Sequence, residues 1–430
     1  MTLELRATGR IAELDAERRA ALLERQPMDD PALGPAVARI VEEVRERGDA
    51  ALLEMAERFD GVRLEAAEVP RPRWDEALAG LSAPVRRALE RAAANIRRFH
   101  EAQRPNDVTV EVEPGLRITR RWVALERVGV YAPGGTAAYP SSVLMGVVPA
   151  RAAGVDEVIV CSPPGPGGAP PAEVLAACAI AGADRVFALG GAGAVAAMAY
   201  GTGSVPAVDA IVGPGNRWVT EAKRQVAGNL RIDSPAGPSE VLVLCDDSAD
   251  PELVALEMLA QAEHDRDAAC VVVSTSERVA RESAAALERL LAEAPRAEIA
   301  RTALRSYGGI VVAATPEEAL AFTDAFAPEH LSIMTTEAAG QARALRNAGT
   351  TFVGGAASVA FGDYLTGANH VLPTAGRSRS FSGLGIQHYL RSFTIQEMTD
   401  EAAAALAEDV GLLADAEGLP AHAAAARARA

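Results

Sequence analysis

Short apolar stretches alternate with helical patterns over most of the chain, beginning at Val128. Each apolar stretch is followed by a turn rich in Gly or Pro and then by a helical pattern, which is typical of a parallel sheet covered on both faces. The predicted strands fall into two series, at 128–131, 157–161, 185–189 and 210–212, and then at 241–245, 269–274, 309–312, 332–334 and 351–353. The pattern therefore predicts an α/β fold with two Rossmann-like, doubly wound domains.

The regions outside these two series are predicted to be mostly helical. Helical patterns cover 35–59 and 84–103, and an alternating pattern at 108–122 predicts a half-buried hairpin. The amphipathic segment 11–24 has little local surface to bury its apolar stripe, so we expect an arm that packs on another domain or subunit. The alanine-rich stretch from Ile386 onwards is predicted to be a helical extension without a core of its own.

One predicted helix carries a candidate site. Asp250 and Pro251 form an N-terminal signal, and the run 253–262 is apolar almost all the way round, so the helix should be buried. Gln261 and His264 lie three residues apart on one face near its C-terminal end. A metal ion would satisfy both side chains, and so would hydrogen bonds within the core, with His264 as a structural histidine.

Composition limits the class of partner. A formal net charge of −16 over 430 residues argues against a nucleic-acid partner and favours a small molecule. The N-terminus has no apolar signal core, and no stretch approaches about 18 uninterrupted apolar residues, so we expect neither secretion nor a membrane span but a cytoplasmic enzyme. The four cysteines show no C-x-x-C spacing and are predicted to be reduced core residues.

Three glycine-rich turns follow predicted strands of the first series, at the end of the sheet where open parallel sheets bind ligands. The turn 190–196 contains G-x-G-x-x-A, which is typical of dinucleotide binding and also of an ordinary tight turn in a chain with 37 glycines. The turns 131–136 and 213–216 offer free N–H groups beside helix N-termini, which suit a pyrophosphate. Asn216 is alternatively a plain N-cap of the helix that holds Lys223, the single lysine of the chain.

Polar residues with catalytic potential lie in and after the junction between the two series. The junction 233–240 should line the crevice between the two units. Glu329 and His330 stand just before a predicted strand, where His330 suits a general base and Glu329 suits proton orientation or water activation, with a solvent-facing pair as the plain alternative. The segment 361–374 places Asp, Asn and His among glycines and is predicted to be irregular, which is typical of a site.

Five motifs resemble those of the histidinol dehydrogenases. They are Gly-Pro-Gly-Asn-x-x-Val-Thr-x-Ala-Lys from Gly213, Ala-Gly-Pro-Ser-Glu from Ala236, Gln-Ala-Glu-His-Asp from Gln261, Pro-Glu-His-Leu-Ser from Pro328 and Gly-Asp-Tyr-x-x-Gly-x-Asn-His-Val-Leu-Pro-Thr from Gly362. The resemblance implies the aldehyde-dehydrogenase-like architecture of that family, with helical N- and C-terminal extensions on two Rossmann-like domains. It also implies an NAD-dependent enzyme that oxidises L-histidinol to L-histidine through L-histidinaldehyde, with two NAD⁺ reduced.

The resemblance also implies a role for each candidate residue. The implied ligands of a Zn²⁺ ion are Gln261, His264, Asp363 and His422, with His422 supplied by the other subunit of a homodimer. His330 would take the alcohol proton, and Glu329 would activate water for the aldehyde step. The implied substrate contacts are Ser239, Gln261, His264, His330, Asp363, His370, Glu417 and His422, and the implied NAD contacts are Tyr131, Gly193 and Asn216. Many relatives carry a glutamine at the position of Gly193.

The same resemblance implies a division of the chain into four parts. They are an N-terminal helical arm at 1–27, a first Rossmann-like domain with the metal and catalytic residues at 28–125 plus 240–384, a second with the NAD-contacting loops at 126–239, and a C-terminal dimerisation arm at 385–430. Two other functions stay open: a same-fold dehydrogenase of another polar alcohol, such as a sulfonated diol, and a non-catalytic zinc or nucleotide-binding module. His370, Glu417 and His422 together argue against the first, and intact Glu329 and His330 argue against the second.

Overall fold

The computed structural model describes residues 3–25, 30–134 and 138–430, whose strands form three sheets. In chain order the strands are β1 (Ala7–Arg10), β2 (Val108–Glu113), β3 (Leu116–Ala124), β4 (Arg127–Tyr131), β5 (Glu157–Ser162), β6 (Arg185–Ala188), β7 (Ala210–Val212), β8 (Arg231–Ile232), β9 (Glu240–Cys245), β10 (Ala269–Ser274), β11 (Gly308–Val312), β12 (His330–Met334), β13 (Thr350–Val353) and β14 (Leu390–Met398). In chain order the helices are α1 (Ala16–Leu23), α2 (Leu33–Arg47), α3 (Asp49–Met55), α4 (Arg71–Gly80), α5 (Ala83–Glu101), α6 (Pro140–Ala153), α7 (Ala172–Ala181), α8 (Gly191–Tyr200), α9 (Arg217–Val226), α10 (Pro251–Ala262), α11 (Glu277–Glu293), α12 (Ala297–Tyr307), α13 (Pro316–Phe326), α14 (Ala338–Ala344), α15 (Val359–Tyr364), α16 (Asp400–Ala416) and α17 (Pro420–Arg427).

The larger sheet contains six parallel strands in the order β1-β11-β10-β9-β12-β13. Every residue of β9, β10 and β12 is buried, because helices cover both faces of the sheet. Met258 of α10 packs in the cluster on one face, and Phe322 of α13 packs in the cluster on the other. The five predicted strands of this series are confirmed, and the N-terminal segment adds β1 at the edge, which no pattern predicted.

The smaller sheet contains five parallel strands in the order β6-β5-β4-β7-β8. The four predicted strands of this series are present, with the short β8 added at one edge. Counted along the chain, this order is 3-2-1-4-5, which is typical of a Rossmann-like unit whose ligand crevice lies between strands 1 and 4. The prediction of an α/β fold with two parallel, helix-covered sheets is confirmed.

The N-terminal helices pack on the smaller sheet. Val37 and Leu52, from α2 and α3, share a hydrophobic cluster with one face of that sheet, and Trp74 and Ile96, from α4 and α5, share a cluster with the other face. The sequence analysis grouped 28–125 with 240–384, the part of the chain that holds the larger sheet. The structure differs from that grouping, because the apolar faces of these helices contact strands β4 to β7 of the smaller sheet. The domain boundaries themselves stay a prediction.

The third sheet is antiparallel, in the order β14-β3-β2. Gly115 turns the predicted hairpin with a φ of +78°, but the expectation that the hairpin is half-buried is wrong for β2, all of whose residues are exposed. The expectation that the chain is helical from Ile386 onwards is also wrong over β14. This strand forms only because nine of its residues pair with β3, more than 250 positions earlier, which no local pattern shows.

Several helix predictions need correction. Asp250 caps α10 by accepting the Glu252 N–H at 2.9 Å, as predicted, but Leu253 and Leu256 are exposed, so the helix is buried on one side only. The predicted helix 35–59 is divided at Gly48, whose φ is +56°, and α4 was missed. The segment 361–374 begins inside α15, so Asp363 lies on a helix and only the rest of the segment is irregular.

Two other features bear on the sequence predictions: the state of the cysteines and the length of the apolar helices. All four cysteines are free and buried, which confirms their prediction as reduced core residues. Within the described ranges, no helix is long and apolar enough to span a bilayer.

Candidate active site

Glu329 and His330 meet the start of β9 at the amino end of the larger sheet. The Glu329 carboxylate accepts the backbone N–H of Glu240 at 2.7 Å. His330 Nδ1 lies 2.9 Å from the Glu240 carbonyl oxygen and 3.4 Å from the Glu329 carboxylate. Because a carbonyl oxygen can only accept, Nδ1 carries the proton of this hydrogen bond. The solvent-facing alternative for this pair is wrong, since both side chains are buried.

Asp363, on α15, and His370, in the irregular segment that follows it, both face His330. The second ring nitrogen of His330, Nε2, lies 3.6 Å from an Asp363 oxygen and, among the described residues, is buried without a hydrogen-bond partner. His370 Nδ1 lies 2.9 Å from the Asp363 carbonyl oxygen. His330, Asp363 and His370 line one small pocket together with Phe352, whose ring is stacked with that of His330 at 6.3 Å between ring centres.

Burial and charge perturb the pKa values of these groups in opposite directions. Burial lowers the pKa of His330, but the carboxylates of Glu329 and Asp363 outweigh it and hold that pKa well above 6.5. Burial raises the pKa of Glu329, which makes this carboxyl a stronger base than an exposed glutamate. Burial also acts upward on Asp363, yet its interaction with His330 leaves the pKa below the ordinary value.

The end of α10 brings Gln261 and His264 towards this pocket. Gln261 is buried in the last turn of the helix, whereas His264 lies two residues beyond the helix end and is exposed, so the core-histidine alternative is wrong. Asp363 is still close enough for its charge to raise the pKa of His264, although desolvation by neighbouring atoms is the larger effect and lowers that pKa. Within the described residues, the side chains of Gln261 and His264 form no hydrogen bond.

Glu257 is a buried carboxylate of this region that the sequence reasoning missed. It lies one turn before Gln261 on α10 and accepts the Val359 N–H at 3.1 Å, at the start of the helix that carries Asp363. Burial raises its pKa. A glutamate inside an otherwise apolar helix is the sequence signal that could have identified it.

The two C-terminal candidates, Glu417 and His422, are exposed on the α16–α17 hairpin. Among the described residues of one chain, no three His, Cys, Asp or Glu side chains come close enough to hold a metal ion. His422 therefore does not join His264 and Asp363 within a single chain. Ser239 stands immediately before Glu240 and is partly buried.

The three glycine-rich turns of the smaller sheet meet at its carboxyl edge. The hydroxyl of Tyr131, at the end of β4, accepts the Gly191 N–H at 3.1 Å, and burial raises the pKa of Tyr131 to about 12. Gly213 has a φ of +112°, and a Cβ there would lie 2.1 Å from the Tyr131 carbonyl oxygen, so only glycine fits. Gly135 and Thr136 of the predicted turn lie outside the described residues.

Asn216 and Gly193 differ in what they can offer to a ligand. The Asn216 side chain caps α9 by accepting the N–H groups of Trp218 and Val219 at 3.0 and 3.2 Å, so the capping alternative is correct. Its amide nitrogen is not used in this cap. A Cβ at Gly193 would lie 3.1 Å from Met55 Sδ, so this position faces α3, which does not favour a cofactor contact.

Comparison with known proteins finds one family along nearly the whole chain. The family model described as Histidinol dehydrogenase matches residues 23–430. The chain is 49% identical over 414 residues to a histidinol dehydrogenase of Natronomonas pharaonis, covering 96% of this chain and 97% of that one. It is 47% identical over 421 residues to the histidinol dehydrogenase of Methanothermobacter thermautotrophicus, covering 98% of this chain and 99% of that one. The crystal structure of histidinol dehydrogenase from Elizabethkingia anophelis matches with a TM-score of 0.94 at 32% sequence identity, covering 100% of this chain and 98% of that one.

Proposed function

This chain belongs to the histidinol dehydrogenase family, NAD-dependent oxidoreductases that oxidise histidinol in histidine biosynthesis, and we propose that its reaction uses Glu329, His330 and a bound Zn²⁺. Two hydrides pass to NAD⁺ as L-histidinol is converted through L-histidinaldehyde to L-histidine. The reacting carbon would lie near the amino end of β12, beside the pocket lined by His330, Asp363 and His370.

The observation that carries this proposal is the orientation of the His330 ring. Its Nδ1–H donates to the Glu240 carbonyl at 2.9 Å, so the neutral ring has its lone pair on Nε2. That nitrogen is buried and, within the described residues, has no hydrogen-bond partner. An oriented and unused imidazole nitrogen suits the acceptance of the substrate hydroxyl proton.

Glu329 is the proposed base for the second step. Its carboxylate is held by the Glu240 N–H, 2.7 Å away, and burial raises its pKa, so it takes a proton more readily than an exposed carboxylate. In the aldehyde step it would accept a proton from the water that attacks the carbonyl carbon.

The donor groups at the end of α10 and on α15 suit a zinc ion. Gln261, His264 and Asp363 offer oxygen, nitrogen and oxygen donors, and the first two make no side-chain hydrogen bond within the described ranges. The proposed fourth donor is His422 of the partner subunit, which explains why one chain lacks a complete set. When bound, Zn²⁺ would hold the substrate's amine and imidazole and, by neutralising Asp363, would favour the unprotonated form of His330.

Exposed apolar groups support the proposed homodimer. Leu412, Leu413 and Leu419 are exposed on the α16–α17 hairpin, which contacts the rest of its own chain at few places. Contiguous exposed apolar residues mark protein interfaces.

Ser239, His370 and Glu417 are the further proposed substrate contacts.

The proposed NAD site is the crevice at the carboxyl edge of the smaller sheet. Tyr131 is the last residue of β4, and Asn216 lies on the turn after β7; these are the two strands on either side of the switch point. The N-terminus of α9 faces the same edge. The buried free thiols support a cytoplasmic location.

The test is a stoichiometry and step-by-step rate measurement with zinc-loaded protein. Histidinol should yield two NADH per molecule. Glu329→Gln should slow aldehyde oxidation at least about tenfold more than alcohol oxidation, whereas Glu337→Gln, an exposed glutamate just after β12, should change neither. Equal slowing of both steps would remove the water-activating role, and faster turnover of a sulfonated diol than of histidinol would favour the other alcohol substrate.

A further inference from the structure

Arg25, at the end of the N-terminal arm, is buried against the start of β9. Its Nε and Nη2 each donate to one oxygen of the Glu240 carboxylate at 2.9 Å, so the two planar groups form a bidentate pair. Nη1 donates to the Leu22 and Leu23 carbonyls at 3.2 and 3.4 Å, and Nη2 also donates to the Phe326 carbonyl at 3.0 Å. All five N–H groups of the guanidinium are thus used, and its carbon lies 3.4 Å from the centre of the Phe326 ring.

Glu240 connects this arginine to the proposed catalytic residues. Its side chain is 3% exposed, as is that of Arg25, and one of its oxygens also accepts the Ala375 N–H at 2.8 Å. Its backbone N–H donates to Glu329 and its backbone carbonyl accepts from His330. A single residue therefore holds both catalytic side chains with its main chain, while its carboxylate is fixed by Arg25 and Ala375.

A purely structural role does not require this arrangement. Removing two charges from water is costly, and well-packed apolar residues of similar volume serve a fold at least as well as a buried ion pair. The Glu240 carboxylate, in contrast, joins three separate segments: the N-terminal arm, β9, and the loop that follows His370. Such a fixed junction limits how far the Glu240 peptide groups, and hence Glu329 and His330, can move.

We propose that Arg25 and Glu240 are positioning residues, which hold Glu329 and His330 in the geometry of hydride and proton transfer through the main chain of Glu240. The proposal rests on the proposed roles of Glu329 and His330. It gives the N-terminal arm a part in catalysis, because α1 and β1 bring Arg25 to the Glu240 carboxylate.

The test compares four variants of the full-length, zinc-loaded protein. Arg25→Met leaves the Glu240 charge unpaired, Arg25→Lys keeps the charge without the bidentate geometry, Glu240→Gln keeps the shape without the charge, and the double variant Arg25→Met/Glu240→Gln leaves no unpaired charge. Arg10→Met is the matched control, because Arg10 lies on the same arm and pairs with Glu277 on the exposed surface.

We expect kcat for both oxidation steps to fall by about 10- to 100-fold in Arg25→Met, with KM for histidinol and NAD within about twofold of wild type. Arg25→Lys should recover part of the loss. The double variant should regain the melting temperature that Arg25→Met loses but not its kcat, which a structural role alone would not produce. Arg10→Met should retain wild-type kcat.

An unchanged kcat in Arg25→Met, or recovery of kcat together with stability in the double variant, overturns the proposal. If Arg25→Met does not fold, Arg25→Lys, Glu240→Gln and the double variant give the same comparison. Glu329→Gln and His330→Gln are measured alongside. Normal turnover in both would overturn the proposed function and this inference together, whereas slow turnover in both with normal kcat in the Arg25 and Glu240 variants would overturn this inference alone.

Discussion

The buried ion pair between Lys223 and Asp233 tests how the proposed cofactor turn is held. Lys223 Nζ donates to the Gly213 carbonyl at 3.0 Å and to one Asp233 oxygen, and the other Asp233 oxygen accepts the Gly213 N–H at 2.8 Å. The pair thus fixes the peptide groups on both sides of Gly213, just before the Asn216 cap. The two side chains are only 5% and 3% exposed, so neither charge has water as an alternative partner.

Replacing Lys223 by Met would leave Asp233 buried without its cation. Removing one partner of a buried pair costs about 3–5 kcal/mol. For a folding unit of roughly 150–250 residues, each kcal/mol lowers Tm by roughly 2–4 °C, so the melting temperature should fall by about 6–20 °C. The displaced Gly213 turn should also raise KM for NAD.

Differential scanning calorimetry at two scan rates measures this effect in Lys223→Met, Asp233→Leu and the double variant. The double variant should recover most of the loss, because no unpaired charge remains. Arg86→Met is the control: Arg86 forms an exposed pair with Glu90, which is worth no more than about 1 kcal/mol. Melting of Lys223→Met within about 2 °C of wild type, or a double variant that loses as much as both single variants combined, would refute the reasoning.

Three further outcomes are expected. His264→Asn should remove bound zinc, as measured by metal analysis, with an unchanged circular dichroism spectrum; stoichiometric metal would contradict its assignment as a ligand. Mixing an Asp363→Asn chain with a His422→Asn chain should restore some activity if sites are shared, because one hybrid site keeps all ligands; no recovery in verified heterodimers would count against sharing. In the folded protein, burial holds the pKa of His100 below 6.5, and its Nδ1–H donates to the Ile96 carbonyl at 2.8 Å. Below pH 6.5 the unfolded chain therefore binds more protons at this residue than the folded protein does. The free energy of unfolding should thus fall as pH drops through 6.5. Tm at pH 7.5 and 5.5 should therefore differ less in His100→Leu than in wild type, and an equal pH dependence in both proteins would exclude this contribution.

Local patterns predicted the parts of the fold that are encoded within one element. The strands around Val128 and Val241 are continuous apolar runs because helices bury them on both sides, and Asp250 caps α10 as its position before a proline indicates. Motif positions likewise identified Glu329, His330 and Asp363, which the structure brings together. Each of these signals lies within about a dozen neighbouring residues.

Contacts between distant segments were decided by the tertiary structure. Strand β14 exists because it pairs with β3, Glu257 belongs to the site because α15 begins against it, and Arg25 reaches Glu240 across 215 positions. The helices at 33–101 bury their apolar stripes against the smaller sheet, although their periodicity would suit any apolar surface. Periodicity states which face of an element avoids water, but the partner that covers that face is fixed only when the whole chain packs at once.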